Sequence, residues 1–151
     1  MSRCMFSAVP DADRGRPDLG AMVMRLGRVL IAAERPVLAA HGVSMWGYIV
    51  LSALADEPMR TQAALARAIG ADKTRIIGTL DDLQERALIE REPDPEDRRV
   101  RLLRLTPAGR QLYASVRADI RTAEEELLGG LTPAEKRVFL RVLQQLGPEP
   151  D

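Results

Sequence analysis

Apolar side chains recur along this chain in two rhythms, and the change from one to the other marks its organisation. Asp18 is suited to cap a helix. Leu19, Met22, Val23, Leu26, Val29, Leu30 and Ala33 follow it at spacings of three and four, which predicts an amphipathic helix. That helix is expected to reach about Ala40, with Pro36 kinking it or ending it early and His41-Gly42 stopping it. Ser44 caps a second helix, Met45 to about Ala55, apolar nearly all round and therefore buried. Asp56-Glu57-Pro58 reads as a turn. Thr61 opens a short helix with Leu65, Ala66 and Ile69 on its inner side, and Gly70 ends it. Asp72 caps the next helix, where Ile76, Leu80 and Leu83 fall at i, i+4 and i+7. Two short helices joined by a tight turn containing glycine form a helix-turn-helix.

The period then drops to two. Leu88 to Glu92 and Arg99 to Leu105 read as the strands of a hairpin, with Pro93-Asp94-Pro95-Glu96-Asp97 as a proline-stiffened tip. Thr106-Pro107 restores the helix signal with a cap and a proline at the first helical position. Leu112, Val116, Ile120, Ala123 and Leu127 stay in phase until Gly129-Gly130. Thr132-Pro133-Ala134-Glu135 is a capping box. It opens a last helix carrying Val138, Phe139, Val142, Leu143 and Leu146, which ends at Gly147-Pro148. Residues 1–17 show no apolar period and read as a flexible tail. Residues 18–147 read as one domain of mainly α class. A winged helix-turn-helix with a two-stranded wing occupies about 44–105. The helices over about 18–40 and 106–147 carry apolar faces too wide for the winged part to cover, so they are expected to be dimerisation helices.

Composition narrows the chemistry. The 151 residues suit a single domain. No apolar run approaches the roughly 18 residues of a membrane span, and the opening MSRCMFSAVP lacks the pattern of a secretory signal. A cytoplasmic protein with no membrane partner is expected. One cysteine, Cys4, and one histidine, His41, exclude an internal disulfide and a Cys/His zinc site within one chain. There is no phosphate-binding glycine loop, and the acidic groups Asp81-Asp82 and Glu124-Glu125-Glu126 have no base or nucleophile beside them. The chain is expected to be no enzyme and to need no cofactor.

Twenty-two basic and 22 acidic side chains cancel, so any case for nucleic acid rests on placement. Lys73 and Arg75 occupy the first turn of the second helix of the pair, and no acid follows Asp72 until Asp81. Arg98, Arg99, Arg101 and Arg104 crowd the hairpin. A helix fits the major groove of DNA, and a hairpin can carry an arginine into the narrower minor groove. Yet residues 60–104 hold ten basic against nine acidic side chains. Two classes therefore stay open: a reader of double-stranded DNA, and a ligand-binding or protein-interaction module with little DNA affinity.

The segment from Thr61 to Arg110 resembles the MarR (multiple antibiotic resistance regulator) family of bacterial transcription factors. Its most specific part is Asp97-Arg98-Arg99, a strand, and then Leu105-Thr106-Pro107-Ala108-Gly109. The resemblance implies a homodimer with interlocked terminal helices that presents two winged helices to a pseudo-palindromic operator. It implies a repressor released by a small aromatic or lipophilic effector. It makes Arg99 the minor-groove arginine, with Arg98 beside it and Asp97 as its orienting carboxylate, and makes Lys73, Thr74 and Arg75 the recognition-helix contacts. Ile77-Gly78 departs from the polar residue and arginine of many relatives, which leaves Ile77 to touch a thymine methyl. Met24, His41 and Trp46 are candidates to line an effector cavity, although core and interface packing accounts for the same residues. Cys4, flanked by no cation except Arg3, is expected to be inert to oxidation.

Overall fold

A computed structural model describes residues 15–57 and 61–147, apart from the side chain of Lys73. The elements are α1 (Leu19–Ala40), α2 (Met45–Asp56), α3 (Gln62–Ala68), α4 (Lys73–Glu85), β1 (Ile89–Pro93), β2 (Arg101–Leu105), α5 (Pro107–Leu127) and α6 (Pro133–Leu146). A 3-10 turn, Leu128–Gly130, separates the last two. The class is the expected one, mainly α with a two-stranded antiparallel wing. No single helix among the described residues is long and apolar enough to cross a bilayer.

The chain forms two compact units that divide after Ala32. In the first, Leu19, Met22, Val23, Met24, Val29 and Ile31 are all exposed. Most of the expected tail, with Cys4, lies outside the described residues. α1 does not end at Pro36 but continues to Ala40. The ring there removes the hydrogen bond that would reach the Ala32 carbonyl and crowds that carbonyl, yet the helix carries through Pro36, which is exposed.

Three helices close by one device. The Val43 N–H reaches the Leu38 carbonyl (2.9 Å), Ala71 that of Ala66 (2.8 Å), and Leu88 that of Leu83 (2.9 Å). Each bond spans a residue at positive φ: Gly42, Gly70 and Ala87, at 62°, 64° and 53°. These are Schellman closures, in which a left-handed residue lets the chain turn back over the last carbonyls.

The second unit is built round the helix-turn-helix. Leu51 of α2, Leu65 of α3, Ile76, Leu80 and Leu83 of α4 and Val116 of α5 are fully buried together. Ile89 and Leu103 extend this core under the wing. The strands pair from Ile89 opposite Leu105 to Pro93 opposite Arg101. The sequence pattern placed both strands too early, at Leu88 and at Arg99. The wing tip makes its own turns instead, with Asp94 N–H bonded to the Val100 carbonyl and Val100 N–H to that of Asp97, each at 2.9 Å. Arg99 therefore sits in the tip and not in a strand.

The base of the wing is locked to α5. Thr106 caps that helix, its hydroxyl oxygen accepting from the Gly109 N–H (3.0 Å) while its O–H donates to the Ala87 carbonyl (2.7 Å). Gly109 lies so close to β1 that a Cβ there would stand 1.9 Å from the Leu88 carbonyl oxygen. α6 starts with the expected capping box between Thr132 and Glu135, yet buries none of its residues.

Candidate nucleic-acid interface

α4 has one face held by the core and one offered to solvent. Ile76, Leu80 and Leu83 pin the inner stripe. At 3.6 residues per turn, Gly78 falls nearly opposite that stripe, with Thr74 one turn before it and Arg75 and Ile77 on its two sides. All four are exposed. The Asp72 carboxylate fixes the helix start by accepting from the Thr74 N–H and O–H, both at 2.7 Å. Those two bonds hold the Asp72 pKa below its ordinary 3.8. The Thr74 hydroxyl proton is thereby occupied, which leaves its oxygen free to accept. Lys73 is the first residue of the helix.

At the wing tip the Asp97 carboxylate accepts from the Arg99 backbone N–H at 3.0 Å, and a second such turn links Asp94 to the Glu96 N–H at 2.9 Å. Asp97 thus acts on the peptide of Arg99 and not on its guanidinium. Arg98, Arg99 and Arg101 are exposed and, among the described residues, pair with no carboxylate.

Other charges in this region are engaged. Arg104 lies between Glu92 (2.6 Å) and Glu90 (3.8 Å) across the hairpin. Its hydrogen bond to Glu92 raises an already high pKa. Arg91 meets Asp81 of α4 at 3.7 Å. Arg86 meets Asp82 at 3.4 Å and donates to the Gly42 carbonyl at 3.0 Å. The near balance of ten against nine therefore conceals a sorting. The acids of the second half of α4 and of β1 are largely matched by arginines that lie beside them. Among the described residues Arg67, Arg75, Arg98, Arg99 and Arg101 have no such match. Sequence reasoning counted Arg104 with the other wing arginines. Only the pairing of Glu90 opposite Arg104 separates it from them.

A groove of about 680 Å³ runs between the last turns of α1 and α5, lined by Pro36, Val37 and Leu127 among its apolar residues and by Asp119 and Glu126 among its polar ones. His41 and Trp46 are not among the residues that form it. His41 reaches it only through Asp119, its Nε2 lying 2.7 Å from Oδ2 of that carboxylate. Trp46 is half-buried in α2, and Met24 belongs to the first unit, where it is exposed. The expected set of Met24, His41 and Trp46 therefore does not describe this groove. Nearby, burial and then the charge of Glu124 raise the pKa of Glu34. Among the described residues no three His, Cys, Asp or Glu side chains converge as metal ligands would.

This arrangement of helices and wing has known counterparts. The model of the MarR family matches residues 41–100. A protein of Thauera aromatica assigned as a transcriptional regulator of the hcr operon is 30% identical over 131 residues, which cover 84% of this chain and 79% of the relative. Rv2887 of Mycobacterium tuberculosis, a MarR family protein solved in complex with DNA, superposes with a TM-score of 0.77 at 26% identity, covering 87% of this chain and 99% of that one. The same protein has been solved with salicylic acid. CouR from Rhodococcus jostii RHA1, bound to p-coumaroyl-CoA, superposes with a TM-score of 0.72 at 27% identity, covering 89% and 94% of the two chains. With a relative matched along most of its length and a winged helix of the same build, the chain belongs to the MarR family of transcription regulators.

Proposed function

We propose that this protein is a non-enzymatic cytoplasmic repressor that binds double-stranded DNA sequence-specifically as a homodimer. The first turns of α4 enter the major groove of a pseudo-palindromic operator, and the wing tip reaches the adjacent minor groove. In this reading Lys73, Thr74, Arg75 and Ile77 face base edges and backbone, while Arg98 and Arg99 face the minor groove on a tip that Asp97 shapes. The observation that carries it is the sorting of charge within the winged segment: among its described residues, the arginines at the end of α4 and of the strand ladder, Arg86, Arg91 and Arg104, are ion-paired, whereas Arg75 on the outer side of α4 and Arg98, Arg99 and Arg101 of the wing are exposed and in no ion pair, as is Arg67 of α3. Phosphates supply the missing partners.

The apolar residues that no part of the second unit covers support the dimer. Val138, Leu140, Val142, Leu143 and Leu146 of α6 are exposed, and Leu131 before it also. A two-fold related copy buries such a surface on both subunits at once. The groove along α1 and α5 suits a small aromatic or lipophilic effector, and the relatives solved with salicylic acid and with p-coumaroyl-CoA support that use.

The test is selection of duplexes from a random library by the intact protein. The expected result is a symmetric site whose half-site centres lie about 10 base pairs apart, bound more weakly as salt rises. Absence of any enriched site, together with salt-independent binding, would assign the winged unit to protein or ligand contacts instead.

A further inference from the structure

The recognition helix carries one feature that charge does not explain. Its exposed side holds a large apolar residue, Ile77, 45% exposed, next to a residue with no side chain. A Cβ built on Gly78 would meet nothing within 4 Å, so no described neighbour requires glycine there. Ile77 and Arg75 flank Gly78 on either side and lie about 3 Å apart along the helix axis, close to the separation of adjacent base pairs.

The major-groove edge of a base pair offers one apolar group, the C5 methyl of thymine; the rest of the edge is donors and acceptors. An apolar side chain in the groove-facing turn therefore has one complementary target. Opposite cytosine it would instead cover the N4 amino donor and leave it without a partner. The bare backbone at Gly78 lets the helix approach until the branched side chain of Ile77 touches that methyl. We infer that Ile77 is a specificity-determining residue that reads a single thymine methyl in each half-site, with Gly78 giving the clearance for the contact. The inference rests on the placement of α4 in the major groove proposed above.

The experiment removes one methyl group at a time. In the selected duplex, each thymine is replaced singly by deoxyuridine, which keeps every hydrogen-bonding atom and lacks only the C5 methyl. The expected result is one thymine per half-site whose replacement weakens binding about fourfold, the size of burying one methyl-sized group. Replacements elsewhere should change binding little. Ile77→Ala should erase the difference between thymine and deoxyuridine at that position alone, and Ile77→Val should keep part of it. Ile77 is exposed, so both variants should fold, and their circular dichroism and melting should match the parent. A parent protein indifferent to every methyl would overturn the inference while leaving DNA binding intact. So would an Ile77→Ala protein with the parental thymine preference. If no duplex is selected at all, the placement of α4 fails, and the inference with it.

Discussion

α4 and α6 are of nearly equal length, 13 and 14 residues, and both carry apolar side chains at helical spacing. α4 buries its stripe completely: Ile76, Leu80 and Leu83 are each no more than 1% exposed. α6 buries nothing, and Leu146 stands 74% exposed. The two helices differ in what lies across from them. α2, α3 and the wing converge on α4, whereas no described part of the second unit covers α6. Periodicity shows which face of a helix is apolar. It does not show whether the cover belongs to the same chain. Under the function proposed above, the difference divides labour: α4 is held by the core to present its outer face to DNA, and α6 keeps its face for assembly.

The strongest way to break this contrast acts where the α4 core meets α5. Gly109→Ala drives a Cβ into the Leu88 carbonyl, and neither backbone segment can move without opening the wing. A loss on the order of 3 kcal/mol is expected, read as a lower denaturation midpoint with loss of DNA binding. A parental midpoint would show that the packing of α5 on β1 is looser than described.

A change at α6 should act quite differently. Val138→Asp combined with Leu143→Asp puts charge into the exposed apolar face, where no described core of the second unit is disturbed. Sedimentation should shift from roughly twice the 16.7 kDa chain mass to the mass of one chain, while helix content and the α4 core persist. A parental dimer would remove α6 from the assembly surface. Loss of helix throughout would show that its cover is needed for folding.

The smallest expected change sharpens the α4 side. Gly78→Ala replaces a mid-helix glycine in open space, so the helix should gain about 0.5–1 kcal/mol and the melting temperature about 1–4 °C. DNA binding should weaken all the same, because the added methyl stands between the helix and the base edges. A variant more stable and equally tight on DNA would show that Gly78 is no point of close approach.

These particulars also mark how far the sequence could be read. Caps at Ser44, Thr61, Asp72, Thr106 and Thr132 are local, because each side chain bonds a backbone N–H two or three residues on. All five stand where the pattern puts them. Gly42 and Gly70 announce two of the three left-handed closures. The third falls on Ala87, whose Cβ gives no such notice, so only the fading of the α4 pattern marks that end. The wing strands were misplaced because proline and aspartate indicate a turn without fixing its length. The tip includes Arg99 because Asp94 N–H donates to the Val100 carbonyl and Asp97 accepts from the Arg99 and Val100 N–H groups, bonds that no periodicity encodes. The site was legible as a set of residue types. The separation of Arg104 from Arg99 was not, since it depends on strand register. His41 illustrates the same limit, for its partner Asp119 lies 78 residues away.

The central claim is that charges on the wing divide into those held by the protein and those left for DNA. The most direct measurement is the salt dependence of affinity for the selected duplex, compared among the parent, Arg99→Ala and Arg104→Ala. Loss of Arg99 should flatten the slope by roughly one to two units per dimer and weaken binding to most sequence variants alike. Loss of Arg104, already paired with Glu90 and Glu92, should leave the slope unchanged. A parental slope for Arg99→Ala, with a flattened one for Arg104→Ala, would contradict the account.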